Sequence, residues 1–133
     1  MRSLAAAIVA LILAVMPALA QQGAQAPLAE GAPPPPYEES LLRLAEILGA
    51  IHYLRPLCKS EEGNQWREQM EALLATEQPD DLRRARMVDR FNRGYESYKS
   101  VYLSCTPAAA LATERYLEEG AKIAAEITAR YGK

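Results

Sequence analysis

The sequence predicts an all-α domain: a small antiparallel four-helix bundle braced by one disulfide and preceded by an export signal and a proline-rich linker. Three observations lead there. Apolar residues recur at three- and four-residue steps through four segments between Tyr37 and Lys133. Proline and polar turn residues separate those segments. Two cysteines, Cys58 and Cys105, fall just after the first and the third of them.

Residues 1–20 carry the parts of a secretory signal: a positive start at Met1-Arg2, an apolar run from Leu4 to Val15, and small residues at Ala18-Leu19-Ala20. Cleavage is expected before Gln21. The apolar run of about 12 residues is too short for a helix across a bilayer, which needs about 20, so no membrane anchor is expected after cleavage. Residues 21–36 are Gln, Ala, Gly and Pro but for Leu28 and one charge at Glu30, ending in Pro33-Pro34-Pro35-Pro36. That composition cannot bury a core, and the proline run favours an extended spacer. The helical domain is expected over 37–133.

The first helix is read over 38–54, from Leu41, Leu44, Leu48 and Ile51 with Leu42, Ala45 and Ile47 widening the stripe. It should weaken or stop at Arg55, because a residue before proline is pushed from the helical region and Pro56 lacks a donor. A polar turn, Lys59 to Asn64, leads to the second helix. Asn64 is its expected N-cap, and Trp66, Met70, Leu73 and Leu74 are its apolar face. Pro79-Asp80-Asp81 ends that helix and opens the third with acids at the positive end of its dipole. The third is read to about Leu103, with a seam at Val88, Phe91, Tyr95, Tyr98 and Tyr102. Thr106-Pro107 is a start signal for the fourth, an N-cap hydroxyl followed by proline at the first helical position. Its stripe is Ala110, Leu117, Gly120, Ala124, Ile127 and Tyr131, with Thr113 a weak position.

Export sets the reading of the cysteines, since an isolated pair in an oxidising compartment forms a disulfide. An up-down-up-down order puts the ends of the first and third helices at one pole, where Cys58 and Cys105 can meet.

The precursor holds 15 basic and 17 acidic residues, a net charge of -2. Removing Arg2 leaves 14 against 17, or -3, which speaks against nucleic acid or an anionic membrane as the general partner. Catalytic templates fail on inventory. His52 is the sole histidine, and it sits by the buried stripe as a boundary residue with its polar atoms satisfied. Glu-x-x-His pairs, CxxCH, HExxH and phosphate loops are missing, so no cofactor and no metal are expected. The paired acids Glu38-Glu39, Glu61-Glu62 and Glu118-Glu119 read as solvated, because adjacent helix residues do not face one another.

Arg83, Arg86, Arg90 and Arg93 follow steps of three, four and three, forming one guanidinium stripe that Tyr95 extends. Such forks suit phosphate or carboxylate groups. Asp89 neutralises part of the stripe, and a plainly solvated face is the competing reading.

The segments LRPLC, FNRGYESY and SCTPAA, behind an export signal and a proline spacer, resemble a family of small exported alpha-proteobacterial proteins catalogued as a domain of unknown function. The resemblance covers about Tyr37 to Tyr131, with the widely separated cysteine pair as its most specific feature. It implies a periplasmic location, and it supplies no activity and no catalytic residues to carry over. The expectation is therefore a non-enzymatic periplasmic interaction module that binds an envelope protein or an anionic cell-wall component through the arginine surface. The alternative is an envelope-polymer hydrolase or transferase using a carboxylate pair assembled by the fold.

Overall fold

In the computed structural model, which describes residues 32–58 and 61–132, four helices follow one another: α1 Glu38–Leu57, α2 Gln65–Glu77, α3 Asp81–Lys99 and α4 Pro107–Tyr131. No strand occurs among the described residues. The expected signal peptide and residues 21–31 of the expected linker lie outside them.

The second, third and fourth helices each pack on α1, and α3 does so most extensively. Eight of the twelve buried apolar residues among those described belong to α1: Leu41, Leu42, Ala45, Ile47, Leu48, Ala50, Ile51 and Leu54. These positions go all the way round the helix, which therefore runs through the middle of the domain instead of presenting a single stripe. Between α1, α2 and α3 the core is Leu42, Ala45, Met70, Leu74 and Met87, with Phe91 and Trp66 packed at its edge.

Partner residues on α1 and α3 rise together along the chain. Glu38 meets Arg83, Glu46 meets Arg90, and Tyr53 meets Tyr95. Against α4 the order reverses, with Tyr37 on Tyr131 and Arg43 on Glu119. At the pole where α1 ends, Cys58 and Cys105 form a disulfide with alpha carbons 4.8 Å apart.

The closest approach in the fold lies between α1 and α3. A side chain at Gly49 would run into the Phe91 carbonyl, and one at Gly94 into the Glu46 carbonyl and, 3.0 Å away, the Ala50 nitrogen. Both glycines are needed because backbone meets backbone there. This crossing also sets the register of α3. Gly94 and Met87 face α1, with Arg83 and Arg90 on the same side, while Val88 is 37% exposed. The seam expected at Val88 is thus displaced by one residue, onto Met87.

Two helix ends depart from expectation. Rather than stopping at Arg55, α1 continues through Pro56 to Leu57. In the last turn the missing proline donor costs one bond, and the Cys58 N–H still closes the end on the Leu54 carbonyl at 3.0 Å. α3 ends at Lys99, short of Leu103, because the chain must turn back for Cys105 to reach Cys58. The Tyr102 carbonyl, freed by that turn, accepts the Tyr53 hydroxyl.

The caps are local and simple. Asp80 accepts from the Arg83 N–H at 2.8 Å, and Thr106 from the Ala109 N–H at 3.1 Å with Pro107 first in the helix. Asn64 stands at the N-cap of α2, but its side chain makes no capping bond. The weak position on α4, Thr113, is buried and donates to the Ala109 carbonyl at 2.9 Å, so its hydroxyl is satisfied. Tyr98 donates to the Tyr116 hydroxyl at 2.6 Å and so ties α3 to α4.

Candidate functional site

The four arginines on α3 do not act as one surface. Arg83 turns inward, its side chain 13% exposed, and donates from both Nε (3.0 Å) and Nη2 (2.6 Å) to one oxygen of Glu38. The same guanidinium lies 3.9 Å from Glu77. Arg90 pairs with Glu46 at 3.5 Å, and Arg93 with Asp89 on its own helix at 2.9 Å. Arg86 is exposed and makes no ion pair among the described residues. Tyr95 is half-buried, packed against His52 at 5.6 Å and edge-on against Tyr53 at 5.4 Å, with the Lys99 ammonium 5.7 Å over its ring.

Beside this face, α2 and α3 part to leave a cleft of about 540 Å³ floored by His52 and Phe91. Its walls carry Arg67, Arg84, Glu71 and Glu96. Each carboxylate already has a cation on its own helix, Arg67 at 3.6 Å from Glu71 and Lys99 at 3.9 Å from Glu96. No group of three or more metal-ligating side chains occurs among the described residues, and no helix among them is long and apolar enough to cross a membrane.

His52 departs from the expected satisfied boundary residue. Its Nδ1 is buried without a hydrogen-bond partner, and the ring lies 5.7 Å from Phe91. Burial, and then the charge on Arg67, hold its pKa below the usual 6.5. The folded state therefore favours the neutral ring more than the unfolded chain does. The stability this contributes is present above the unfolded pKa and is lost as pH falls. Melting temperature should drop between pH 7 and pH 5, and the drop should be smaller in His52→Phe. Parallel slopes for the two proteins in thermal melts would show that the ring does not contribute.

Another concavity lies on the opposite side of α2. There α2 and α4 both rest on α1 without closing on each other, leaving a trough of about 620 Å³. Its floor is Leu44 and Leu48 over the almost fully covered Ile47 and Ile51, one wall is Trp66, Gln69, Ala72 and Leu73, and the other is Leu117, Gly120, Ala121 and Ala124. None of the 14 lining residues is charged. In a chain with 24% charged residues this is a selective gap in the surface pattern. Ala72, Ala121 and Ala124 are exposed, so the trough is open to a ligand.

Sequence reasoning missed this site, although a signal was present. Gln65, Gln69, Ala72 and Thr76 form an uncharged line at steps of four, three and four on α2, and Leu117, Ala121, Ala124 and Thr128 repeat the same steps on α4. Leu117 and Ala124 read as part of the buried stripe of α4, and the small or polar positions beside them read as ordinary surface. Together the two lines are a wall without charge.

No curated protein and no solved structure matches the chain. A family model does match, over residues 36–131, which takes in all four helices, the disulfide and the trough. The chain therefore belongs to the family described as protein of unknown function (DUF2385).

Proposed function

We propose that the chain is exported to the periplasm, cut before Gln21 and released, and that its disulfide-braced helical bundle is a binding module whose ligand lies in the trough between α2 and α4. The observation that carries this reading is an apolar, uncharged concavity of about 620 Å³ with three helices around it. That volume falls in the range of about 300–1,000 Å³ common to small-molecule sites, which are mostly apolar and largely preformed. The disulfide supports export, since such bonds persist in oxidising compartments.

An anionic wall component or envelope protein held by the α3 arginines has less support, because Arg83 and Arg90 already answer carboxylates on α1. Nothing in the α2–α3 cleft favours hydrolysis of an envelope polymer, since Glu71 and Glu96 are each paired along their own helix.

The test uses a neutral, environment-sensitive dye and the emission of Trp66, the sole tryptophan and a wall residue of the trough. Dye should bind, perturb Trp66, and lose affinity by about tenfold or more in Ala121→Glu and Ala124→Glu, which put an unpaired charge where the ligand lies. Both alanines are exposed, so the melting temperature should hold. Undiminished dye affinity in both variants would remove the trough from the reading.

A further inference from the structure

We infer that the trough takes a linear amphipathic cation, with an apolar body along α1 and a protonated amine beside Glu77, next to the Tyr37–Tyr131 pair. This deepens the reading above and rests on it.

Past Thr76 the trough runs on into a second space of about 550 Å³, which shares Leu44, Leu73, Thr76 and Ala124 with the first. It ends on Tyr37, Tyr131 and Glu77, so Glu77 is the charged residue that a ligand lying along the trough would reach. The two tyrosine rings are 4.8 Å apart and tilted by 39°. The Tyr37 hydroxyl donates to Glu77 Oε2 at 3.4 Å.

The charge at this end is not balanced. Among the described residues Arg83 is the one cation paired with Glu38 and Glu77, and it is engaged chiefly by Glu38, at 2.6 and 3.0 Å against 3.9 Å for Glu77. The second oxygen of Glu38 is buried and has no partner, in a side chain only 9% exposed. Asp80 adds a further negative charge close to Arg83. Two nearly buried carboxylates thus share one guanidinium, and Glu77 is the one that faces the trough.

An ammonium group at that point supplies the missing charge, bonds to Glu77, and lies beside the tyrosine pair, where the outer face of Tyr131 attracts a cation through the ring quadrupole. A carboxylate head would meet Glu77 as a like charge, and a neutral head would leave the imbalance in place. From Gln65 to Thr76 the wall is about 16 Å of helix, which calls for an extended apolar body.

Three compounds with one tail and different heads test this: dodecylamine, dodecanol and dodecanoate, titrated below their aggregation concentrations with Trp66 emission as the readout. Dodecylamine should bind about tenfold tighter than dodecanol, with dodecanoate weakest. Glu77→Gln should bring amine and alcohol to parity. Tyr131→Leu, which leaves the carboxylate pairs intact, should weaken the amine alone by about threefold. Equal binding of amine and alcohol, or a preference that survives Glu77→Gln, overturns the assignment of the head group while the trough stands. Failure of all three compounds and of the neutral dye removes the trough as well. An amphipathic helical peptide that binds where dodecylamine does not would reassign the site to a protein partner and equally overturn the inference.

Discussion

Replacing Gly94 with alanine is expected to push α1 and α3 apart and to destabilise the domain by about 3 kcal/mol or more, near or beyond the upper end of the range for overpacked cores. The added methyl would overlap the Glu46 carbonyl and lie 3.0 Å from the Ala50 nitrogen. Both are backbone atoms inside a hydrogen-bonded helix, so neither can swing aside as a side chain does. Alanine's better helix propensity returns only about 1 kcal/mol. Gly49→Ala meets Phe91 in the same way from the other helix. Because one separation of the two helices relieves both clashes, the double variant should cost clearly less than the sum of the singles. Gly120→Ala is the control: its nearest neighbour is a side-chain methyl of Ile47 at 3.2 Å, which can shift. Denaturant unfolding followed by circular dichroism would measure all four proteins. A Gly94→Ala chain within about 0.5 kcal/mol of the parent, the range of an inconsequential surface change, would contradict the backbone contact.

These glycines also show what periodicity could and could not reveal. The four helices were legible because their signals are local: apolar steps of three and four, an aspartate at Asp80, and the Thr106-Pro107 pair. The disulfide was legible because export chemistry and helix order both constrain it. The central position of α1 was not legible, since a stripe read at Leu41, Leu44, Leu48 and Ile51 says which face is most apolar and not how many faces are covered. The register of α3 slipped for a related reason. Val88 is more β-branched and apolar than Gly94, yet a crossing that requires glycine turns Gly94 inward and takes Met87 with it. A glycine inside a helix costs about 1 kcal/mol relative to alanine, so Gly49, Gly94 and Gly120 each advertised a packing reason that apolar counting passed over.

The site was less legible than the fold, because charge patterns on one helix do not say which neighbour answers them. The arginine steps on α3 were read as one outward stripe, whereas helix rotation puts Arg83 and Arg90 against α1 and leaves Arg86 and Arg93 outside. Rotation by about one residue separates a binding surface from a set of structural pairs. The trough, by contrast, comes from two helices leaving a gap, and its marks in the sequence, an uncharged line on α2 and another on α4, gain meaning only once the two helices are set side by side.

Removing the disulfide should have the other large effect, and it bears on the trough directly. Cys58 and Cys105 are 47 residues apart, and closing a loop of that length restricts the unfolded chain by about 4 kcal/mol in the loop-entropy account. For a domain of this size that corresponds to a fall in melting temperature on the order of 20 °C. Cys58→Ser with Cys105→Ser loses little packing, as Cys58 is half-buried and Cys105 exposed, so the loss should be mainly that of the cross-link. The bridge fastens the end of α1 to the residue just before the N-cap of α4, and α1 and α4 supply the floor and one wall of the trough. The serine variant, held well below its lowered melting point, should still bind neutral dye, since the walls are set by packing along both helices. Near the melting point of that variant, binding and helicity should be lost together. A melting temperature unchanged by the double substitution would mean that the loop is already confined by contacts other than the bond, and dye binding lost at full helicity would mean that the bridge itself shapes the trough.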